Sequence, residues 1–387
     1  MQMSNSALSL KRESHLKIKE QHVERVLILF DDDRFYIGDF CICTHLLKSC
    51  RLLYNQALIE IIITNQKHFV RYRDLLTNNP AFDLISMNTL QGIDYLSYDV
   101  IICVTYWEKK LLDMMKEKHG PLAGEPGFGP AVFSISQYLL RPSEHQEICF
   151  PVNTSLYNLA LTELLNHPRE LPFLMEERAW GDQWLEANGM QPGEKLFVLL
   201  DSSSSRDKLL RVDVYIDLLR YLLKHDNARL LIFDEKNVGK DAFYREWLGE
   251  ELLDRIIFSR GLTLRQDLCL LGSAYTKMVF GPCTGLLHCA SGIYNYLLRK
   301  GLPQSEVPLL VVYTGKYIDG NAEACANDWW CDSPLVNCMI LRERGGKKYI
   351  DFLNEIDESE RKRNDDLLKC GEYTIELLTG SLDKKLH

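Results

Sequence analysis

The stretch GLTLRQDLCLLGSAYTKMVFGPCTGLLHCASG, residues 261–292, decides the fold. LTLRQDLCLLGSA places its apolar residues at helical spacing, and KMVFGP is a short β-rich run. From Thr284 to Lys300 the helical pattern returns. Helix, strand, tight turn and helix in that order is one step of a βαβ series built on a parallel sheet. The same alternation extends on both sides. Upstream lie KLFVLL (195–200), the amphipathic VYIDLLRYLLKH (214–225), ARLLIFD (228–234) and DRIIFSR (254–260); downstream lies VPLLVVYTG (307–315).

A second, earlier series starts at VERVLILF (23–30) and runs through a helical pattern over Cys43, Leu46, Leu47 and Cys50. It continues with ALIEIIIT (57–64), the helical FVRYRDLL (69–76), FDLISM (82–87) and DVIICVTY (99–106). Between about Gly120 and Glu144 the pattern breaks into loop with one short apolar stretch, and Thr154 to Trp184 reads as helical. After Gly345 the chain is charged and reads as an exposed helix. The expected fold class is α/β: two doubly wound, Rossmann-like domains of similar size facing across a cleft.

Composition narrows the function. The chain has 387 residues, 46% of them apolar, which suits about two to three packed domains and excludes wholesale disorder. A net charge of -9 argues against nucleic acid as a partner. Twelve scattered cysteines without a CxxC pair give neither a zinc spacing nor a disulfide scaffold and fit a reducing cytoplasm. The N-terminus lacks the apolar core of a signal peptide, and no apolar run approaches the roughly 20 residues of a bilayer span. The expectation is a soluble or peripheral protein. GxGxxG, GxxxxGK[ST] and GxSxG are all absent, which weighs against dinucleotide enzymes, P-loop NTPases and α/β-hydrolases.

Four places carry candidate chemistry. Asp39 lies in the turn after the first strand, at the carboxyl edge of the sheet where open α/β folds bind ligands; it reads as a general base or as a helix N-terminal aspartate. Asp31, Asp32 and Asp33 read as a solvated turn rather than a metal site. DSSSSRDK, Asp201 to Lys208, follows a strand and precedes a helix, and reads as a phosphate cradle or as a flexible serine loop. GPCTGLLHCASG, Gly281 to Gly292, repeats that layout, and Thr284 and Gly285 open a helix at the sheet edge. Cys283 and His288 are five apart and on different helix faces, which argues against a thiol nucleophile and its base.

Three blocks together resemble the family-nine glycosyltransferases, the bacterial heptosyltransferase group of the two-Rossmann-domain (GT-B) architecture. They are VERVLILF...YIGDF...HLLKS, FVLLDSSSSRDKLLRVDVYIDLLRYL, and residues 261–292 with their Thr-Gly-x-x-His core. The resemblance is one of pattern and runs from about Val26 to Gly315. It implies Asp39 as the catalytic base and Ser203, Ser204 and Lys208 on the donor diphosphate. It also implies Cys283, Thr284, Gly285 and His288 in a donor-binding turn. Cys283 departs from the aspartate usual there, and Leu210 and Arg211 replace the usual tryptophan and proline.

The implied activity is metal-independent, cofactor-free inverting transfer of a sugar from a nucleotide-diphosphate sugar to a glycan or lipid-linked acceptor. Lipopolysaccharide or surface-polysaccharide synthesis would be its setting, with peripheral contact at the cytoplasmic face of the inner membrane. A sugar-nucleotide epimerase or hydrolase, or a non-catalytic binding protein, are the alternatives. The expected divisions are a basic and polar extension (1–24), an acceptor domain with helical connector (25–190), a donor domain (191–345) and a charged helical tail (346–387).

Overall fold

A computed structural model describes residues 22–32, 36–42, 44–105, 107–125, 127–135, 149–319, 322–325, 330 and 333–386. The chain divides into two compact units, one up to His167 and the other from Pro168 onward. The N-terminal extension expected before residue 25 falls almost wholly outside the described residues.

In the first unit, β1 (Arg25–Phe30), β2 (Leu58–Ile63), β3 (Leu84–Met87), β4 (Val100–Val104) and β5 (Ala131–Ser134) form a parallel sheet in the order β3-β2-β1-β4-β5. β1 and β4 are almost entirely buried, as their unbroken Val/Ile/Leu runs require of strands covered on both faces. β5 lies in the stretch read as loop: four buried residues suffice for an edge strand but leave little periodic signal. The helices are α1 (Ile37–Ile42), α2 (Thr44–Leu53), α3 (Gln66–Leu76), α4 (Glu108–His119) and α5 (Thr154–Asn166). α5 packs on α2, and its N-cap Asn153 accepts from the Leu156 N–H at 3.0 Å while donating to the Tyr54 hydroxyl at 3.1 Å.

The second unit opens with α6 (Met175–Ala187), then β6 (Lys195–Leu199), α7 (Val212–Leu222), β7 (Ala228–Asp234), α8 (Lys240–Leu248) and β8 (Ile256–Arg260). There follow α9 (Leu264–Leu271), β9 (Thr276–Pro282), α10 (Gly285–Arg299) and β10 (Leu309–Thr314). A hairpin of β11 (Lys316–Asp319) and β12 (Ala322–Cys325), β13 (Val336–Arg344), β14 (Lys347–Phe352) and α11 (Ile375–Leu386) complete it. The main sheet runs β14-β13-β10-β9-β6-β7-β8, parallel except for the antiparallel β13–β14 pair. Thr263 and Gln266 cap α9 reciprocally.

Two expected divisions are corrected. The connector assigned to the first domain through residue 190 belongs to the second unit from Pro168 onward, because α6 packs tightly on α9. A Cβ at Gly181 would stand 2.3 Å from the Cys269 carbonyl oxygen, so only glycine permits that approach. Glu177 adds a two-pronged pair with Arg265 at 2.6 and 2.7 Å. The tail after Gly345 is neither separate nor simply helical. β14 pairs along β13, and Arg342, fully buried on β13, draws in Asp366, Asp351 at 3.4 Å and the Glu360 carbonyl at 2.7 Å. A buried guanidinium must be paired, and the charged run supplies its partners.

Gly181→Ala is expected to lower stability by about 1–3 kcal/mol through overpacking against the α9 backbone. Urea unfolding checks this; an unchanged midpoint would show that α6 does not need the close contact.

Candidate functional site at the two switch points

In each unit the strand order reverses next to the first strand, and the loops leaving the carboxyl ends of the two diverging strands bound a crevice. In the first unit that point lies between β1 and β4. Asp31 and Asp32 leave β1 there and are taken up by the scaffold. Buried Asp31 pairs with Lys110 at 3.2 Å and accepts from the Thr64 hydroxyl. Thr105, just past β4, donates to Asp32 at 2.8 Å and holds the Trp107 N–H at 3.1 Å. These bonds lace the two strand ends together. Asp33 lies outside the described residues. Among the described residues no group of three or more His, Cys, Asp or Glu is gathered as a metal site would need.

Asp39 sits in the first turn of α1, half-buried at this carboxyl edge. The neighbouring Phe40 fixes the short helix: its ring is buried 6.0 Å from Phe30 and 5.4 Å from Tyr72. The aspartate is thus carried on an anchored turn.

The second switch point lies between β6 and β9. Gly281 makes the approach possible, since a Cβ there would fall 2.5 Å from the Leu200 Cβ. Beyond it the two loops singled out in the sequence meet. The Ser203 hydroxyl donates to the Cys283 carbonyl at 3.3 Å. Ser204 is exposed beside it, and Ser205 caps a 3₁₀ turn over Arg206–Lys208. Thr284 is the extended N-cap of α10, and its side chain makes no capping bond. Gly285 starts the helix, and both residues are half-buried.

His288 is placed differently from a surface ligand. It is buried one turn into α10, its ring stacked on Trp330 at 3.9 Å and 3°. Burial, with the Arg169 charge, pushes its pKa down to about 3, so the ring is neutral at physiological pH. No thiol–imidazole chemistry follows from Cys283 and His288.

The structure adds residues that local sequence did not suggest. Lys208 places its ammonium 4.1 Å from the centre of the Tyr317 ring on β11. Burial pushes the Cys370 thiol up to about 12, with Cys283 and Asp207 adding to the shift and Lys208 opposing it. Asp201 is fully occupied as a brace, accepting from Lys240 and from the Tyr244 hydroxyl at 2.7 Å each.

No protein-family pattern and no curated protein sequence matches the chain. Among solved structures, the Escherichia coli ADP-heptose lipopolysaccharide heptosyltransferase II superposes with a TM-score of 0.57 at 14% identity, covering 94% of this chain and 100% of that one. A family 9 glycosyltransferase from Veillonella parvula superposes with a TM-score of 0.50 at 12% identity, covering 76% and 80%. The fold is that of these glycosyltransferases. Within this glycosyltransferase fold, the departure at Cys283 does not disturb the loop tie, because Ser203 bonds the backbone of residue 283 and not its side chain.

His288 makes stability depend on acidity. An unfolded histidine titrates near 6.5 and this one near 3, so the unfolded chain takes up the proton first. Its contribution is complete above about pH 6.5 and is lost as pH falls toward 3. Between pH 7 and pH 5 that loss is about 2 kcal/mol, and His288→Gln should remove this share of the acid sensitivity. Urea unfolding of both proteins at the two pH values measures it; equal pH dependence would contradict the assignment.

Proposed function

We propose that the protein is an inverting glycosyltransferase that moves a sugar from a nucleotide-diphosphate sugar to a glycan or lipid-linked acceptor. The observation that carries this reading is the second switch point. There a hydroxyl-rich loop that carries Lys208 is tied through Ser203 to the turn opening a fifteen-residue helix whose start has no side-chain cap. Backbone N–H groups at a helix start and a nearby ammonium suit a diphosphate. Cys283 offers only a weakly polar thiol beside them.

In the proposed reaction the second unit holds the donor. Asp39, in the first unit, takes the proton from the acceptor hydroxyl as that oxygen attacks the anomeric carbon, and the bond to the diphosphate breaks with inversion. Lys208 and the N–H groups at Thr284 and Gly285 meet the charge that develops on the departing diphosphate, which needs no cofactor and no metal. His288 would act as a neutral group behind this turn. The E. coli structural neighbour, named for an ADP-heptose donor and lipopolysaccharide, supports a surface-glycan acceptor. A working place at the cytoplasmic face of the inner membrane is part of the same proposal. Among the described residues no helix is long and apolar enough to cross a membrane, so such contact would be peripheral.

Two substitutions separate the roles. Lys208→Ala should raise Kd for a nucleoside diphosphate about ten- to a hundredfold, the worth of a charge-assisted contact. Asp39→Asn should leave that Kd unchanged while lowering turnover about 10²–10⁴-fold. Calorimetry with ADP, UDP and GDP, followed by transfer assays with the corresponding sugar nucleotides, reads both. An unchanged Kd in the first variant, or more than about a tenth of wild-type turnover in the second, removes that residue from its role.

A further inference from the structure

Lys208 is half-buried, and among the described residues no carboxylate lies within ion-pairing distance of its ammonium. Most basic side chains of this unit are treated otherwise. Lys240 is paired with Asp201 at 2.7 Å, and Lys316, next to Tyr317 in sequence, with Glu323 at 3.4 Å. What Lys208 has is the face of the Tyr317 ring. A carboxylate would fix the ammonium and cancel its charge. An aromatic face fixes it through the ring quadrupole and leaves the charge in place. The ring engages one side of the ammonium, and N–H donors on its other side stay available.

Tyr317 is itself held in place. β11 follows β10 directly, and at Gly315 a Cβ would stand 2.5 Å from the Leu368 carbonyl oxygen and 3.0 Å from the Cys370 nitrogen. The Lys316 N–H donates to the Leu368 carbonyl at 3.0 Å. The Tyr373 hydroxyl lies 2.9 Å from the carbonyl oxygens of both Thr314 and Met339. The C-terminal segment thus seats the strand that carries the ring.

We propose that Tyr317 is a positioning residue for Lys208, a ring that holds the ammonium over the second switch point, still charged and ready for a diphosphate. This rests on the reading of that switch point as the donor site. A lysine otherwise loses much side-chain freedom on binding, and the ring bears part of that loss before the ligand arrives.

The test is calorimetry with ADP, UDP, GDP and inorganic pyrophosphate on five proteins: wild type, Tyr317→Phe, Tyr317→Leu, Lys208→Ala and the Lys208→Ala/Tyr317→Leu double variant. Tyr317→Leu should weaken the best-binding probe about three- to tenfold, while Tyr317→Phe, which keeps the ring face, should stay within about twofold of wild type. In the Lys208→Ala background Tyr317→Leu should have no further effect, because the residue acts only through that lysine. Equal or tighter binding by Tyr317→Leu overturns the proposal. So does a Tyr317→Phe loss as large as that of Tyr317→Leu, or a full Tyr317→Leu effect without Lys208. If Tyr317→Leu melts early, Tyr317→Thr, a good strand former without a ring, takes its place with the same expectations. Wild-type protein that binds none of the probes sinks the donor-site reading itself, and the proposal with it. Binding by wild type that is insensitive to the ring sinks the proposal alone.

Discussion

A parallel strand must send its chain back over one face of the sheet before the next strand can begin, and in the second unit that face changes between β6 and β9. Because the chain leaves in opposite directions, the space past the two strand ends is left unfilled by either connection. The glycine at position 281 lets the ends draw close enough for Ser203 to bond the Cys283 carbonyl. The order of the loops around that crevice, the position of the α10 start and the placement of Lys208 all descend from this reversal. The first unit repeats the arrangement with a different filling: Thr105 and Lys110 tie up Asp31 and Asp32, and the anchored turn beside them carries Asp39.

Electrostatics then distinguishes bracing from chemistry. Two carboxylates near the second switch point, Asp201 and Asp234, are occupied, whereas Asp207 beside Lys208 is exposed. Asp201 is held by Lys240 and Tyr244. Burial alone would push the Asp234 carboxyl up, but bonds from the Val238, Lys240 and Gly239 N–H groups and the Arg260 charge outweigh it and hold the group below its ordinary range. His288 is held neutral by burial. Lys208 remains as a cation resting on an aromatic face. With Asp201 and Asp234 satisfied by other partners, a lysine that lacks a carboxylate partner among the described residues favours an anion.

Much of the scaffold was legible because it is local. The unbroken apolar runs of β1, β4, β7 and β10 and the amphipathic spacing of α7 each lie within a dozen residues. The loops Asp201–Lys208 and Cys283–Gly285 could be marked for the same reason, since strand, turn and helix follow in order. What escaped depends on contacts distant in sequence. Nothing near residue 351 or 366 announces that a buried Arg342 needs both acids, so the charged run reads as solvated. Gly181 looks like a flaw in a helix until Cys269 lies against it. Tyr317 and Cys370 reach Lys208 across more than a hundred residues, and no spacing rule connects them. For His288 the motif gives no sign that the ring is buried and stacked on Trp330.

The most direct test of the account is amide hydrogen exchange on the wild-type protein with and without a saturating nucleoside diphosphate, using ADP, UDP and GDP in turn. The account predicts that at least one of them slows exchange in two segments together, Ser203–Lys208 and Gly285–Leu287, because its phosphates would accept from the N–H groups there. Protection elsewhere in the second unit with these two segments unchanged, or no protection by any of the three, would contradict it.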